Sequence, residues 1–313
     1  MRYLQYLIDQ VRRATENEEY TGDTGIQDEE FIQYFNDAQH RLQAKITAQH
    51  PQVFLNDEEI NIVSGQSTYN LPSDTYLDNR VHNVEYSSTG NESDYYVLDE
   101  VSLRRVSPGA SGEPSYYVRS TGKILVNPTP NKGTLRVTYT QKIKDLDLRV
   151  AQFKEDVLET SSLSATSTSV GLTVDTKYES LREHTHVCII DVEGNTKVKN
   201  IPLVMSNSGF ADVTSSLIKF KTHTFLSGES YVGGDYIVGG KDTTTHCTLP
   251  KSLERYIIQY CSWKILKRDS SIDSQEAQGE LMVMEDDIVA SYTAISDDIQ
   301  NIPVLTDWED WSL

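Results

Sequence analysis

The chain has 313 residues, with 47 acidic against 28 basic side chains and a formal net charge of −19. Such a surface repels nucleic acid, which argues against a sequence-reading DNA-binding protein but is compatible with a surface that DNA slides past. Its cysteines, Cys188, Cys247 and Cys261, are an odd and widely spaced set, so we expect free thiols. We also expect no signal peptide and no membrane anchor, because no apolar run approaches the roughly 20 residues of a membrane span.

Two amphipathic helices open the chain and make up the first predicted domain, residues 1–57. The first covers about residues 2 to 15, and a polar loop with Gly22 and Gly25 follows it. The second begins near Asp28, where three acidic residues occupy the first turn and complement the helix dipole, and Pro51 ends it. The apolar positions expected in the core are Leu4, Leu7, Ile8, Val11, Phe31, Phe35, Ala38, Leu42 and Ile46.

From residue 58 the apolar period changes to two, which predicts an antiparallel β region over residues 58–155. Ile60 and Ile62 alternate with polar residues, and the tripeptide 131–133 is a strong turn signal before a second alternating run. That run contains Leu135, Val137 and Tyr139.

Residues 156–247 have a different composition. Their pattern predicts a second inserted β-domain, a sandwich or a small barrel. Short candidate strands are separated by turn residues at regular intervals, and the stretch 161–169 is almost all Ser and Thr. Removing this region would leave a continuous helix–sheet–helix unit, so we expect it to fold on its own, with hinges at 161–169 and at Gly239-Gly240.

Helices return over residues 248–295, where Thr248 is a good N-cap and Pro250 is tolerated in a first turn. The predicted fold class is therefore α+β: a helical body from the N- and C-terminal helices, an inserted antiparallel sheet and the second β-domain. The apolar positions of these last helices are Leu253, Tyr256, Ile257, Tyr260, Cys261, Ile265, Leu281, Met284, Ile288 and Tyr292.

The tail, residues 296–313, is acidic and contains two of the 3 Trp residues of the chain. A solubilising tail rarely contains tryptophan, so we expect this one to dock on a basic, grooved partner. The alternative is that it folds back on its own helical body. The expected partner contacts are Asp307, Trp308, Glu309, Asp310, Trp311 and Leu313.

No motif predicts catalysis, and we expect no enzyme activity, cofactor or metal. The glycine-rich run 233–241 has Asp235 where a phosphate-binding loop needs glycine, so a hairpin is the better interpretation. His184, His186 and Cys188 alternate as zinc ligands on one strand face could, but such a trio arises easily by chance. The carboxylate pairs 286–287 and 297–298 indicate a solvated acidic surface.

Several segments together resemble phage head-to-tail adaptor proteins, and the tail tubular or connector adaptors of short-tailed phages more than the smaller adaptors of long-tailed phages. They cover roughly residues 1–145 and 248–295, whereas the β-domain at 156–247 departs from the compact pattern. The segments are Asp28–Gln39, Gly65–Pro72, Gly112–Tyr117, Leu125–Pro130 and the helix Leu253–Ile265.

This resemblance implies a structural virion protein at the head-tail junction, assembled in the host cytoplasm. Its partners would be its own copies in a ring, commonly of twelve, the portal protein, and a tail tube or nozzle protein. DNA would pass through the ring during ejection without specific binding. A different class of function stays open, since the Ser/Thr-rich β-domain could make the chain a receptor- or carbohydrate-binding virion module.

Overall fold

A computed structural model describes residues 2–15, 26–103, 110–148, 150–152, 169–171, 181–206, 208–214, 217–221, 232–269 and 273–296. The chain forms two compact units, each made of separate stretches of sequence. The first unit contains Met1–Leu42 and Lys144–Ile288, and the second contains Gln43–Ile143 and Val289–Leu313. Helices and mainly antiparallel sheets occur together, which confirms the predicted α+β class.

The helices among the described residues are close to those predicted from apolar spacing. Every apolar position predicted for the first two is buried, as are the six predicted for the third. In the fourth helix Leu281 is buried while Met284, Ile288 and Tyr292 are half-buried. The bounds are α1 (Leu4–Ala14), α2 (Asp28–Gln49), α3 (Lys251–Arg268) and α4 (Asp273–Ser296).

The cap of α3 differs from the prediction. Pro250, with extended backbone angles, is the N-cap, so Thr248 lies outside the helix and Pro250 precedes its first turn. A proline can occupy this position because the N-cap amide is not needed for helical hydrogen bonding.

The strands of the described residues are short and numerous. In chain order they are β1 (Arg2–Tyr3), β2 (Leu55–Asn61), β3 (Thr68–Asn70), β4 (Val81–Ser87), β5 (Tyr96–Val97), β6 (Asp99–Glu100), β7 (Tyr116–Ser120), β8 (Lys123–Asn127), β9 (Thr134–Thr140), β10 (Asp145–Leu146), β11 (Val150–Gln152), β12 (Ser169–Gly171), β13 (His186–Ile190), β14 (Thr196–Pro202), β15 (Val213–Thr214), β16 (Leu217–Lys219), β17 (Tyr236–Gly239), β18 (Thr243–Thr244) and β19 (His246–Cys247).

The second unit contains two four-stranded sheets, where the sequence predicted one region of antiparallel sheet. Their strand orders are β2-β9-β4-β5 and β3-β8-β7-β6, and only the β6–β7 pair is parallel. Gly133 ends the predicted turn before β9 with a φ of 108°, and a Cβ there would collide with the Ser87 carbonyl oxygen. Both sheets contribute to one core, formed mainly by Tyr69, Val84, Tyr86, Ile124, Val126, Leu135, Val137 and Tyr139.

In the first unit, strands from distant parts of the sequence pair with one another. β1 pairs with β19, and β10 runs parallel to β18. Two further sheets have the orders β11-β17-β13-β14 and β12-β16-β15. Strands before residue 156 thus pair with strands inside 156–247, and the independence of that region stays a prediction. The β core of this unit is formed by Leu181, Val187, Ile189, Ile201, Leu203, Ala211, Val213, Ile218, Phe220 and Ile237.

The helices of the first unit pack through their predicted apolar stripes. α1 contacts α3, and the buried residues of both helices lie at helical spacing. Arg12 links the two N-terminal helices, because its Nη2 donates to Asp28 Oδ1 at 2.7 Å while its guanidinium lies 5.2 Å from the Phe31 ring centroid. This contact fixes the start of α2 relative to α1.

Candidate functional site

Amide side chains on the buried side of α2 hold a segment of extended chain against the helix. Asn36 Nδ2 donates to the Leu146 carbonyl at 3.0 Å, and the Leu146 amide donates back to Asn36 Oδ1 at 2.8 Å. One turn on, Gln39 Nε2 donates to the Lys144 carbonyl at 2.8 Å. His40 Nε2 lies 2.5 Å from Asp145 Oδ1. The first unit therefore has a backbone segment, 144–146, anchored by side chains in the way a neighbouring strand would anchor it.

The next amide on the same face repeats the arrangement within the second unit. Gln43 Nε2 donates to the Gln141 carbonyl at 2.6 Å, and the Ile143 amide donates to Gln43 Oε1 at 3.1 Å. Gln43 is fully buried, so both hydrogen bonds satisfy groups that water does not reach. The Gln43 amide, which lies within the apolar stripe of α2, therefore positions residues 141–143, which follow strand β9.

A buried carboxylate lies at the centre of the helical part of the first unit. Glu285 of α4 is fully buried. Its Oε1 lies 2.7 Å from Arg41 Nε and accepts a hydrogen bond from the Tyr256 hydroxyl at 2.8 Å. Burial alone would lower the pKa of Arg41, but Glu285 outweighs that effect and the pKa is raised. Burial, and then the hydrogen bond to Glu285, raise the pKa of Tyr256. These contacts join α2, α3 and α4 through one buried carboxylate.

An open cleft of about 490 Å³ lies in the first unit beside the anchored segment. Carboxylates outnumber the basic groups of its lining: the acidic residues are Glu29, Asp37, Asp145 and Asp147, and the basic ones are Lys241 and His184. A negative cleft of this kind excludes anionic ligands. We assign it no reaction: the Asp145 carboxylate pairs with His40, and that of Asp37 lies 3.9 Å from Lys264 Nζ.

The helical part of the first unit presents two surfaces of opposite charge. On α3, Lys264 and Lys267 lie with their ammonium groups 5.6 and 5.1 Å from the Trp263 ring centroid. On α4, Glu276, Asp286 and Asp287 are exposed, and so are the apolar side chains of Met282 and Val283. Trp263 itself is buried, so the exposed groups are Lys267 on α3 and the acidic and apolar side chains of α4.

The possible zinc ligands of the sequence do not converge. Cys188 is buried, with Sγ 3.7 Å from Asn200 Oδ1 and 3.9 Å from the Gly240 carbonyl oxygen. His186 Nδ1 lies 2.9 Å from Thr185 Oγ1, and the His184 ring lies against the backbone of Gly239. Across the described ranges, no group of three His, Cys, Asp or Glu side chains is arranged to hold a metal ion.

The glycine-rich run forms part of a sheet. Its residues 236–239 are strand β17, which is central in its sheet. Asp235, fully buried, accepts a hydrogen bond from Lys197 Nζ at 2.8 Å, so the residue that breaks the phosphate-loop pattern has a structural partner. The predicted partner contacts Asp307, Trp308, Glu309, Asp310, Trp311 and Leu313 lie outside the described residues, as does the pair 297–298.

Sequence reasoning missed the most constrained polar residues, Glu285 and the α2 amides. Gln39 and Gln43 are flanked in the apolar stripe by Ala38, Leu42 and Ile46, so their placement on the buried face was a signal that could have identified them. Glu285 carried a weaker signal, since it follows Leu281 by one turn on the apolar side of α4.

Comparison with known proteins gives one informative match. A family model described as SU10 adaptor protein matches residues 2–160, just over half of the chain. Curated protein sequences give no match. Among the helices that the structure describes, none is both long and apolar enough to cross a membrane.

Proposed function

The chain belongs to the SU10 adaptor protein family, and from this membership we propose that it is a subunit of a head-to-tail adaptor ring that joins the portal to the tail. As a phage structural adaptor it is a virion protein. The ring would form part of the channel through which DNA is ejected. The observation that carries the proposal is the match over residues 2–160, which contains α1, α2 and the strands β2 to β9.

The role proposed for the chain is structural. Membership of an adaptor family supports a role in joining other proteins rather than a role in catalysis. Polar groups in the helical part are used for packing: Glu285 pairs with Arg41, and Asn36 holds the backbone of Leu146. A ring subunit needs this type of rigidity, because an interface presented by a well-anchored surface loses less conformational entropy on assembly.

Electrostatics support the proposed passage of DNA. The chain carries a net charge of −19, and a channel wall with that sign would repel the phosphate backbone and keep DNA from adhering. The proposed relation to DNA is therefore passage without specific binding.

The proposed partners are other copies of the chain in a ring of twelve, the portal protein, and a tail tube or nozzle protein. Assembly would take place in the host cytoplasm. The five predicted segments (1–57, 58–155, 156–247, 248–295 and 296–313) remain our proposal for the domain organisation, with 156–247 as an addition to the adaptor core.

The acidic tail is the proposed partner contact. Trp308, Trp311 and Leu313 would anchor it on a neighbouring subunit or on the portal, and Asp307, Glu309 and Asp310 would meet Lys or Arg there. Each buried aromatic ring contributes a few kcal/mol, on the order of 2, while the charges mainly orient the contact.

Truncation after Thr306 tests this tail contact. We expect a folded subunit that no longer joins the portal or the ring, measured by co-sedimentation with portal and by circular dichroism of the truncated chain. Normal assembly of the truncated chain would contradict the docking proposal, and a misfolded chain would favour a tail that folds back on its own body. The charge-neutral variant Asp307→Asn with Glu309→Gln serves as control, since it keeps both rings and should weaken assembly less.

The ring itself is tested by native mass measurement of the purified chain, alone and mixed with portal. We expect one discrete large multimer, formed by the chain alone or only when portal is present. A chain that stays monomeric in both conditions and binds glycans would instead support the receptor- or carbohydrate-binding alternative.

A further inference from the structure

The loop that precedes β4, in the second unit, holds two consecutive non-glycine residues in the left-handed backbone region. Leu77 has a φ of 53° and Asp78 has a φ of 54°. A bulky side chain rarely adopts this conformation, because its Cβ crowds the backbone. Leu77 is nevertheless 63% exposed, so the strain places an apolar side chain in solvent rather than in the core. Such an arrangement points to a binding role for Leu77.

Hydrogen bonds on both sides of the exposed leucine fix the conformation of this loop. On one side, the buried Asp74 side chain accepts hydrogen bonds from the Tyr139 hydroxyl and from Gln141 Nε2, both at 2.8 Å. On the other side, the Gly122 amide donates to the Asp78 carbonyl at 2.7 Å. The leucine is therefore presented on a well-anchored base, which reduces the entropy lost when a partner binds it.

Cations surround the exposed leucine, although the chain has 47 acidic against 28 basic residues. Arg119 Nη1 donates to the backbone carbonyls on either side of Arg80, at 3.2 and 3.1 Å. Lys123 directly follows the glycine whose amide holds the loop. Arg80, Arg119 and Lys123 are all exposed. We call Leu77 and these three cations the Leu77 patch.

The Leu77 patch has more positive than negative charge. Glu100 Oε1 lies 3.1 Å from Arg119 Nη2 and offsets the charge of that arginine, and Asp78 adds one exposed carboxylate. Within the part of the chain that the structure describes, no acidic side chain forms an ion pair with Arg80 or with Lys123. An apolar centre with cations around it suits an acidic segment that also carries large apolar rings.

The tail, residues 296–313, has this complementary chemistry. It contains five acidic residues, no Lys or Arg, and the rings of Trp308 and Trp311. Helix α4 ends at Ser296, and the twelve residues from there to Trp308 can span up to about 40 Å when extended. The last turns of α4, from residue 289, belong to the second unit, which also carries the Leu77 patch.

We infer that the tail of one copy docks on the Leu77 patch of a neighbouring copy. This inference rests on the proposed function and names the surface that the tail would bind. The Trp rings would pack on Leu77 and on the arginine guanidinium groups, and the carboxylates of residues 307–310 would face Arg80 and Lys123. Because the tail and the Leu77 patch are different surfaces, the contact is head-to-tail and can close a ring.

Disulfide crosslinking of the full chain tests the contact. Asn79→Cys with Ser312→Cys places one thiol beside the Leu77 patch and the other beside the tail rings, and the native cysteines are all buried. We expect oxidation to give a ladder of covalent dimers and larger species, because each disulfide would join two copies.

The matched control is Val63→Cys with Ser312→Cys. Val63 is 58% exposed and lies beside the turn that precedes β9, whereas Arg80 lies beside the last residue of β9. We expect the control to crosslink at least about tenfold more slowly, because docking raises the effective concentration of the tail only near the Leu77 patch.

Replacing the strained residue gives a second test, in which stability and assembly should respond differently. Leu77→Gly relieves the left-handed strain, so we expect the thermal unfolding midpoint to stay the same or to rise. The same substitution removes the apolar contact, so we expect the subunit concentration needed for assembly to rise about tenfold.

Charge reversal tests the cations of the Leu77 patch. We expect Arg80→Glu to raise the subunit concentration needed for assembly by about tenfold or more, because it would face the tail carboxylates. Lys132→Glu is the control, since it changes the net charge equally at an exposed position in the turn at the other end of β9. We expect it to assemble like the original chain.

The outcomes separate the inference from the proposed function. If the original chain forms no ring with or without portal, the proposed function fails. If it forms a ring and Asn79→Cys with Ser312→Cys crosslinks no faster than the control, the docking contact is overturned while the ring remains. Crosslinks confined to single copies would overturn the contact between neighbours, since the tail would then fold back. Assembly of Leu77→Gly and Arg80→Glu at the original concentration would likewise overturn it.

Discussion

At the scale of single residues, Glu285 is the most constrained charge of the described chain. It is fully buried, yet the 40% exposed side chain of Arg41 reaches it from α2 and the Tyr256 hydroxyl from α3. A buried carboxylate without such partners would be strongly destabilising. Glu285 thus ties the distant helix α2 to the two consecutive helices α3 and α4.

Replacing Glu285 with glutamine should destabilise the first unit by about 2–3 kcal/mol, below the upper range for a buried pair because Arg41 retains access to water. The shift of the urea unfolding midpoint measures it. Glu280→Gln on the same helix is the matched control, since Glu280 is exposed and bonds only Gln259. Equal shifts of the unfolding midpoint by the two substitutions would show that the Glu285–Arg41 pair stabilises the protein no more than an exposed carboxylate does.

His246 gives the first unit a pH-dependent stability. Its ring is buried between Tyr3 and Tyr236, with centroid distances of 5.4 and 6.0 Å. Burial lowers the pKa of His246 below its ordinary 6.5. The unfolded chain therefore binds a proton near pH 6.5 while the folded chain does not, so stability is complete above that pH and falls as the pH drops toward the folded pKa.

We predict that His246→Phe reduces this acid sensitivity. The free energy of unfolding of the original chain should fall below pH 6.5 with a contribution from His246 of up to about 1.4 kcal/mol per pH unit. Urea titrations at several pH values between about 7 and 5 measure the slope. An unchanged slope in the variant would mean that other groups account for the acid sensitivity.

At the scale of secondary structure, the buried face of α2 has two roles, in packing and in binding backbone. Its apolar residues fill the core, and its amides hold the extended backbone that follows β9. Asn36 is the clearest example, because it both donates to and accepts from the peptide groups of Leu146. Since an amide side chain can both donate and accept a hydrogen bond, it reproduces the pairing of a strand neighbour.

Asn36→Ala should destabilise the first unit by about 2 kcal/mol, because two hydrogen bonds are lost and the Leu146 amide and carbonyl lose their partner. Gln33→Ala, at an exposed position of the same helix, should change stability by less than about 0.5 kcal/mol. Thermal unfolding followed by circular dichroism compares the two. A small effect of Asn36→Ala would mean that the pairing of β10 with β18 is enough to hold residues 144–146.

The helices could be predicted from the sequence because their signals are local. Leu4, Leu7, Ile8 and Val11 repeat at helical spacing and all are buried. The pairing of β1 with β19 could not be predicted, since each is only two residues long and they are more than 240 residues apart in sequence. The sequence places Glu285 on the apolar side of α4, but its partner Arg41 could not be predicted, because the two residues are 244 positions apart.

At the scale of the whole molecule, the two long helices α2 and α4 contribute residues to both compact units. The chain passes from one unit to the other within α2 and within α4, and a third time outside the helices, between residues 143 and 144. Together with family membership, this describes a protein whose task is to hold surfaces in place. We propose that the net charge of −19 keeps DNA from adhering to these surfaces.

Electron microscopy of the virion, or of the chain assembled with portal, is the decisive test of the proposed ring. We expect a closed ring of identical copies of this chain between portal and tail, with the channel axis passing through it. A reconstruction in which the chain is an isolated monomer on the particle surface, away from the head-tail junction, would contradict it.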